Sequence, residues 1–218
     1  MTKERGAKMN NLLTDITVLL DRSGSMYSCR NDVLGGLNNF IRDQQKIEGA
    51  CKFTLIQFHS MNPQEKIYDA VDLRKISGIT TFNPGGGTPL LDALGLSIVE
   101  TGARLRAVPE HERPGKVIFV VITDGEENAS HRYKKPKIAE MVKEQQDRYA
   151  WDFVFLGANM DGISEGQSVG MLYANSATFD VSNIGATIRT TGAKLATYRM
   201  TGNKTDLNYT VAERKGFV

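Results

Sequence analysis

The sequence has few cysteines, little excess of charge and no long hydrophobic run. Two cysteines occur in 218 residues, and a chain of this length buries enough apolar surface to fold without disulfides, so we expect both thiols to be free. The 27 basic and 25 acidic residues leave a formal net charge of +2. Nucleic-acid surfaces carry a pronounced basic excess, and the sequence therefore argues against nucleic acid as a partner.

Hydrophobic segments are too short for a membrane protein. The longest unbroken apolar run covers residues 117–122, whereas a membrane-spanning helix requires about 20 apolar residues. Residues 1–10 are polar and lack the apolar core of a secretory signal. We therefore expect a soluble, cytoplasmic protein that does not bind membranes.

Short apolar runs alternate with stretches of helical periodicity between about residue 15 and residue 200. This alternation predicts an α/β fold with a doubly wound, mostly parallel sheet flanked by helices. Residues 66–71 follow the strand at 53–58 after a short loop, and the spacing predicts one antiparallel edge strand there. The other expected strands cover residues 16–20, 117–122, 153–156 and 177–179.

The same pattern suggests a single domain. We expect a flexible N-terminus at residues 1–12, one domain at residues 13–200, and a C-terminal tail at residues 201–218, where helical periodicity ends. No internal repeat or linker divides the chain further.

Three polar clusters follow expected strands or precede an expected helix. Asp21, Ser23 and Ser25 come directly after the first strand, Thr88 follows a glycine-rich loop, and Asp124 follows the most apolar strand. The carboxyl ends of parallel strands meet at one edge of a sheet, where ligands bind in such folds. We therefore expect these five side chains to lie together.

Two carboxylates and three hydroxyls form an all-oxygen set, which suits a hard cation such as Mg²⁺ or Mn²⁺. No histidine or thiolate belongs to the set, so zinc is not favoured. Each of the three polar clusters also has a structural explanation that involves no metal. Thr88 could be the N-cap of a helix that begins at Pro89, Ser23 and Ser25 could bond the backbone, and Asp124 could belong to a turn.

The ordered motifs Asp-Arg-Ser-Gly-Ser, Gly-Gly-Thr-Pro-Leu and Thr-Asp-Gly resemble those of the von Willebrand factor A domain family, over about residues 15–198. Asp21, Ser23, Ser25, Thr88 and Asp124 match the family's metal-ion-dependent adhesion site. The resemblance implies that the hydroxyls contact the metal, that the Asp residues often act through water, and that a partner's Asp or Glu completes the coordination.

Cys29 and Cys51 lie inside the expected domain rather than near its ends. In this respect the chain is similar to the intracellular stand-alone members of bacteria and phages. The resemblance then implies a metal-dependent adaptor in protein–protein interactions rather than an enzyme or an extracellular-matrix adhesin.

The alternative is a Mg²⁺-dependent phosphohydrolase with an aspartyl nucleophile. Such enzymes place a second Asp two residues after the nucleophile, where this sequence has Ser23. The three histidines, His59, His111 and His131, are isolated in the sequence, and we expect them on the surface rather than acting as bases.

Overall fold

The computed structural model describes residues 9–158 and 161–218. Six strands form its central sheet, and each contains or extends one of the apolar runs that predict it. The strands are β1 (Asn10–Asp21), β2 (Ala50–His59), β3 (Asn62–Asp72), β4 (Pro114–Thr123), β5 (Asp152–Ala158) and β6 (Ser176–Phe179).

The strand order across the sheet is β3-β2-β1-β4-β5-β6. Every neighbouring pair is parallel except β2 and β3, which are antiparallel and place β3 at the edge. This confirms the predicted fold class, a mostly parallel α/β sheet with one antiparallel edge strand. The order increases outwards in both directions from β1, so the crossovers cover both faces of the sheet.

Within residues 9–158 and 161–218, six α-helices flank the sheet. They are α1 (Arg30–Gln45), α2 (Leu90–Arg106), α3 (Lys135–Tyr149), α4 (Gly162–Ser168), α5 (Ile184–Thr201) and α6 (Val211–Phe217). Helices α1 and α5 contribute to one hydrophobic core, and α2 and α3 contribute to the other. Among the helices that the structure describes, none combines the length and the apolar character needed to cross a membrane.

Strands β1 and β4 carry the candidate site. Both are buried on both faces, which explains their continuous apolar sequence. They run in register from Asp15 opposite Val117 to Leu20 opposite Ile122, so they end side by side. The residues that leave these two strands are therefore neighbours at the carboxyl edge of the sheet.

The C-terminal segment differs from its sequence interpretation. Residues 201–218, expected to be a tail outside the domain, pack against it, because Leu207, Tyr209 and Phe217 are buried in the same core as α1 and α5. Tyr209 N–H also donates to Ala174 O at 2.8 Å. These apolar residues are unevenly spaced along the sequence, and a periodicity criterion does not detect them.

The N-terminal boundary and the start of α1 also differ. Residues 10–12, assigned to a flexible N-terminus, form the exposed beginning of β1, while residues 1–8 lie outside the described residues. Asn31 and Asp32 precede a stretch of helical periodicity and are predicted to cap it, but helix α1 begins at Arg30, so both lie inside its first turn.

Candidate metal centre

The structure brings all five predicted site residues to the carboxyl edge of the sheet. Asp21 is the last residue of β1, and Ser23 and Ser25 lie at the start of the short 3₁₀ turn Gly24–Tyr27 that follows it. Asp124 comes directly after β4, and Thr88 lies two residues before α2. Three separate segments of the chain therefore supply the oxygens.

Hydrogen bonds connect the first and third of these segments. The Ser25 hydroxyl donates to Asp124 Oδ1 at 2.6 Å and lies 3.0 Å from the Ser23 hydroxyl. Asp21 accepts from the Ser23 N–H at 2.7 Å and from the Thr123 hydroxyl at 2.6 Å. The loops after β1 and β4 are thereby held together by the side chains that could bind a cation.

Gly125 shows how closely the oxygens converge. A methyl group placed on its Cα would meet one oxygen from each of three site residues, at 3.2 Å from Thr88 Oγ1, 3.5 Å from Ser25 Oγ and 3.9 Å from Asp21 Oδ2. Glycine thus leaves open a space that is bordered by two hydroxyls and a carboxylate. An oxygen-lined space of this kind fits a hard divalent cation.

The expected capping role of Thr88 is wrong. Helix α2 begins at Leu90 rather than at Pro89, and no side-chain hydrogen bond caps it from its N-cap position. Thr88 is buried, and its hydroxyl lies toward Gly125 instead. Capping of α2 therefore does not explain the threonine at this position.

Residues of the loop after β4 cap α2 instead. Glu127 accepts from the Leu91 N–H at 2.9 Å, and the Ser130 hydroxyl accepts from the Asp92 N–H at 3.0 Å. Asn128 accepts from the N–H of Thr88 at 2.9 Å. These long-range contacts satisfy backbone donors at the helix start and leave the Thr88 hydroxyl available.

The two carboxyl groups are buried without a basic partner. Asp21 is fully buried and Asp124 nearly so, and within residues 9–158 and 161–218 neither forms an ion pair with Lys, Arg or His. Burial raises the pKa of Asp21 from 3.8 to about 6, and the charge of Asp124 adds to the shift. Burial also raises the pKa of Asp124. A bound cation would remove this electrostatic cost.

Arg22 is a functional candidate that the sequence interpretation missed. Its backbone carbonyl accepts from the Gly85 N–H at 2.9 Å, and its guanidinium donates to Asn83 O at 2.7 Å and to Glu65. Gly24 N–H also donates to Gly86 O at 3.0 Å. Arg22 therefore ties the loop after β1 to the glycine-rich loop that carries Thr88.

The expectation that all three histidines are surface residues is wrong for His59. The side chain of His59 is buried beside the Arg22 guanidinium, and burial together with the charge of Arg22 lowers its pKa. His111 and His131 are exposed, as expected. No side chain of the three forms a hydrogen bond or ion pair with the five site residues in the described structure.

The composition of the site favours oxygen ligands. Over the described residues there is no cluster of three or more His, Cys, Asp or Glu side chains that could hold a metal ion. The candidate centre has two carboxylates and depends on hydroxyls for the rest, which fits Mg²⁺ or Mn²⁺ better than zinc. Both cysteines are buried free thiols.

Comparisons with known proteins agree with this fold. No family model matches the sequence, and no curated protein sequence matches it either. Among solved structures, the chain is similar to proximal thread matrix protein 1 from the mussel byssus, with a TM-score of 0.61, 16% identity, and coverage of 84% of this chain and 48% of that one.

Two further structures are similar. The von Willebrand factor type A protein from Catenulispora acidiphila gives a TM-score of 0.56 at 13% identity, over 86% of this chain and 42% of that one. The manganese-loaded TRAP protein of Plasmodium vivax gives 0.53 at 20% identity, over 82% and 72%. The chain spans less than half the length of the first two proteins. At these identities the likeness establishes the fold, which is that of von Willebrand factor A domains.

Proposed function

We propose that the protein is a metal-dependent protein–protein interaction module. Asp21, Ser23, Ser25, Thr88 and Asp124 hold one Mg²⁺ or Mn²⁺, and an Asp or Glu of the partner completes its coordination. The convergence of the Asp21, Ser25 and Thr88 oxygens around the space at Gly125 carries this proposal, together with the hydrogen bonds that join Ser25 to Ser23 and Asp124. The match of all five residues to the metal-ion-dependent adhesion site of the von Willebrand factor A family supports it.

The five site residues would contribute to cation binding in two ways. Asp21 and Asp124 supply the negative charge, while the Ser23, Ser25 and Thr88 hydroxyls add oxygen ligands without adding charge. When bound, the cation supplies an electrophilic centre that attracts a further carboxylate. Ser25 is exposed whereas Asp21 and Ser23 are buried, so an incoming group has access from the side of Ser25.

The structural likeness supports a divalent cation in a general way. The similar Plasmodium vivax structure is described as manganese-loaded. We propose Mg²⁺ or Mn²⁺ for this chain because its candidate ligands are all oxygens.

We further propose that the module acts without enzymatic activity, as an intracellular stand-alone adaptor of the bacterial or phage type. Ser23 stands where an aspartyl-phosphate enzyme has its second carboxylate, and its hydroxyl donates or accepts within the Ser25 network. A hydroxyl is a poor general acid or base near neutral pH. The two free thiols are consistent with a reducing compartment, which supports a cytoplasmic location.

The proposal is tested by titrating Mg²⁺ and Mn²⁺ into the protein by calorimetry. We expect one site in the wild-type protein and loss of binding in Gly125→Ala, whose added methyl group fills the oxygen-lined space without removing a ligand. Gly35→Ala is a matched control, because nothing lies within 4 Å of a methyl group at that position. Equal metal affinity in wild type and Gly125→Ala would contradict the assignment.

The open coordination position needs its own measurement. Acetate should bind the metal-loaded protein, whereas acetamide, which has no charge, should not. The metal-free protein should bind neither. Indifference of the loaded protein to acetate would remove the partner carboxylate from the proposal.

A further inference from the structure

Two large apolar side chains are exposed at the same edge of the sheet as the candidate metal centre. Met61 is 89% exposed in the turn between β2 and β3, and Tyr27 is 65% exposed at the end of the 3₁₀ turn after β1. Strands β1 and β2 are neighbours, and Asp21 pairs with Phe58 where they end. The two residues therefore leave adjacent strands beside the site.

Both side chains are attached to loops that the site itself holds in place. The hydroxyl of Ser60, next to Met61, accepts from the N–H of Gly87 at 3.0 Å. Gly87 directly precedes Thr88 in the sequence. Tyr27 follows Met26, which is fully buried and anchors the turn that carries Ser25. The loops that carry Tyr27 and Met61 are thus attached to the segments that carry Ser25 and Thr88.

The surface between these side chains has little side-chain bulk. Gly24 and Gly86 are exposed there and are joined by the hydrogen bond from Gly24 N–H to Gly86 O, at 3.0 Å. A polypeptide segment could approach this backbone closely because no Cβ atoms stand in its way.

A positive charge lies beside Tyr27 at this rim. The Arg30 guanidinium lies over the Tyr27 ring, 5.8 Å from its centroid, and Arg30 is exposed. A divalent cation in the site would add to the positive charge that Arg30 supplies beside the Tyr27 ring. Such a surface attracts carboxylates and repels basic segments.

We propose that Tyr27 and Met61 form an apolar rim that selects the partner, and that the partner is an acidic polypeptide segment whose metal-binding Asp or Glu is flanked by large apolar side chains. This inference rests on the proposed function, since it deepens the description of the same site. The carboxylate gives metal dependence, and the apolar neighbours give specificity by burying the two exposed side chains.

Short peptides test the proposal. In the presence of Mg²⁺, an acetylated and amidated Gly-Leu-Asp-Leu-Gly peptide should bind about fivefold more tightly than the Gly-Ser-Asp-Ser-Gly peptide, as burial of modest apolar area predicts. Affinities are measured by chemical-shift titration of the isotope-labelled protein. The Gly-Leu-Asn-Leu-Gly peptide, which has no carboxylate, should bind much more weakly.

Substitutions at the rim should remove this preference. Tyr27→Ser with Met61→Ser should bring the affinity ratio of the two Asp peptides close to one and leave Mg²⁺ affinity unchanged. Tyr149→Ser with Met200→Ser is a matched control, since both side chains are similarly exposed but end helices that run back to the opposite edge of the sheet. That control should retain the fivefold preference.

The outcomes separate this inference from the proposed function. If the wild-type protein binds no Mg²⁺ or Mn²⁺, the proposed function fails. If it binds the metal but treats the Leu and Ser peptides alike, only the rim assignment is overturned. Peptide binding that survives chelation, or a preference that survives Tyr27→Ser with Met61→Ser, also overturns the rim assignment.

Discussion

Strand β1 carries two buried aspartates whose surroundings are opposite. Asp15, in the first half of the strand, receives two hydrogen bonds from the Arg104 guanidinium, at 2.7 and 3.0 Å. Asp21, at its end, is surrounded by hydroxyls and a backbone N–H and has no ion-pair partner in the described structure. The same strand therefore contains one carboxylate that the chain neutralises itself and one that it leaves without a cation.

The contrast extends to the neighbouring strands. Asp152, at the beginning of β5, accepts from Lys204 at 2.7 Å and from the Tyr198 hydroxyl at 2.6 Å. Asp124, after the end of β4, accepts only from the Ser25 hydroxyl among the described side chains. Asp15 and Asp152, toward the amino edge, are thus paired with basic side chains within the fold, whereas Asp21 and Asp124, at the carboxyl edge, have no basic partner among the described residues.

The largest expected difference between the two edges is in metal binding. Asp21→Asn and Asp124→Asn should each weaken Mg²⁺ and Mn²⁺ binding at least about 100-fold, because each removes one of two anionic ligands. Asp152→Asn should leave the affinity unchanged, since its carboxylate belongs to the amino edge. Calorimetry on the three variants checks this, and a loss of affinity in Asp152→Asn would break the comparison.

Lowering the pH should have the second largest effect on metal binding. Asp21 has a pKa of about 6 in the metal-free protein, so protons compete with the metal below that pH. Affinity should fall about tenfold for each pH unit below 6, with a steeper decline once Asp124 also takes a proton. Metal titrations between pH 5 and pH 8 measure this profile, and a flat profile would mean that Asp21 is not a ligand.

Removal of the Arg22 side chain should have a smaller effect on metal binding. Arg22→Ala releases the contacts to Asn83 and Glu65 and should loosen the glycine-rich loop that carries Thr88. We expect affinity to fall about tenfold, as is common when a residue behind the metal ligands is removed. Arg148→Ala is the control, because Arg148 is exposed on α3. A decrease of equal size in Arg148→Ala would contradict a positioning role for Arg22.

The smallest expected effect concerns the stability of the metal-free protein at pH 7, where the two aspartates of β1 should respond in opposite directions. Asp15→Asn should lower the free energy of unfolding by about 1–2 kcal/mol, because Arg104 loses its charged acceptor. Asp21→Asn should raise it by about 1–2 kcal/mol, because a buried charge is removed.

The pH dependence of stability independently tests whether the buried Asp21 carboxylate destabilises the metal-free protein. The unfolded chain releases the Asp21 proton near pH 3.8, whereas the folded, metal-free protein keeps it up to about pH 6. The folded state therefore loses stability as the pH rises through this interval. Urea unfolding with chelator present should show that the stability of the wild type relative to Asp21→Asn falls as the pH rises through this interval. A difference that stays constant or grows in favour of the wild type would contradict the assigned pKa.

Local sequence was sufficient to predict the strands and most of the candidate site. Asp21, Ser23, Ser25 and Asp124 follow continuous apolar runs, and the parallel fold implied by those runs brings their ends together. The apolar run that predicts each strand and the site residues that follow it lie within a few residues of each other in the sequence.

Features that depend on distant contacts were missed. Thr88 was predicted as a site residue, but its predicted role as an N-cap was wrong, because Glu127 from another loop caps α2. Arg22 looks like a surface residue between two ligands, and its role is visible only when Asn83 and Glu65 lie beside it. Residues 201–218 show no periodicity because Tyr209 and Phe217 pack individually onto a core formed elsewhere.

The most direct test of the carboxyl edge as a metal site is the anomalous scattering of Mn²⁺ in crystals of the protein. The account predicts one strong anomalous peak among the oxygens of Asp21, Ser23, Ser25, Thr88 and Asp124, and no such peak in crystals of Asp21→Asn grown with the same metal. A fully loaded crystal with no peak at this edge, or with its peak at the amino edge beside Asp15 or Asp152, would contradict it.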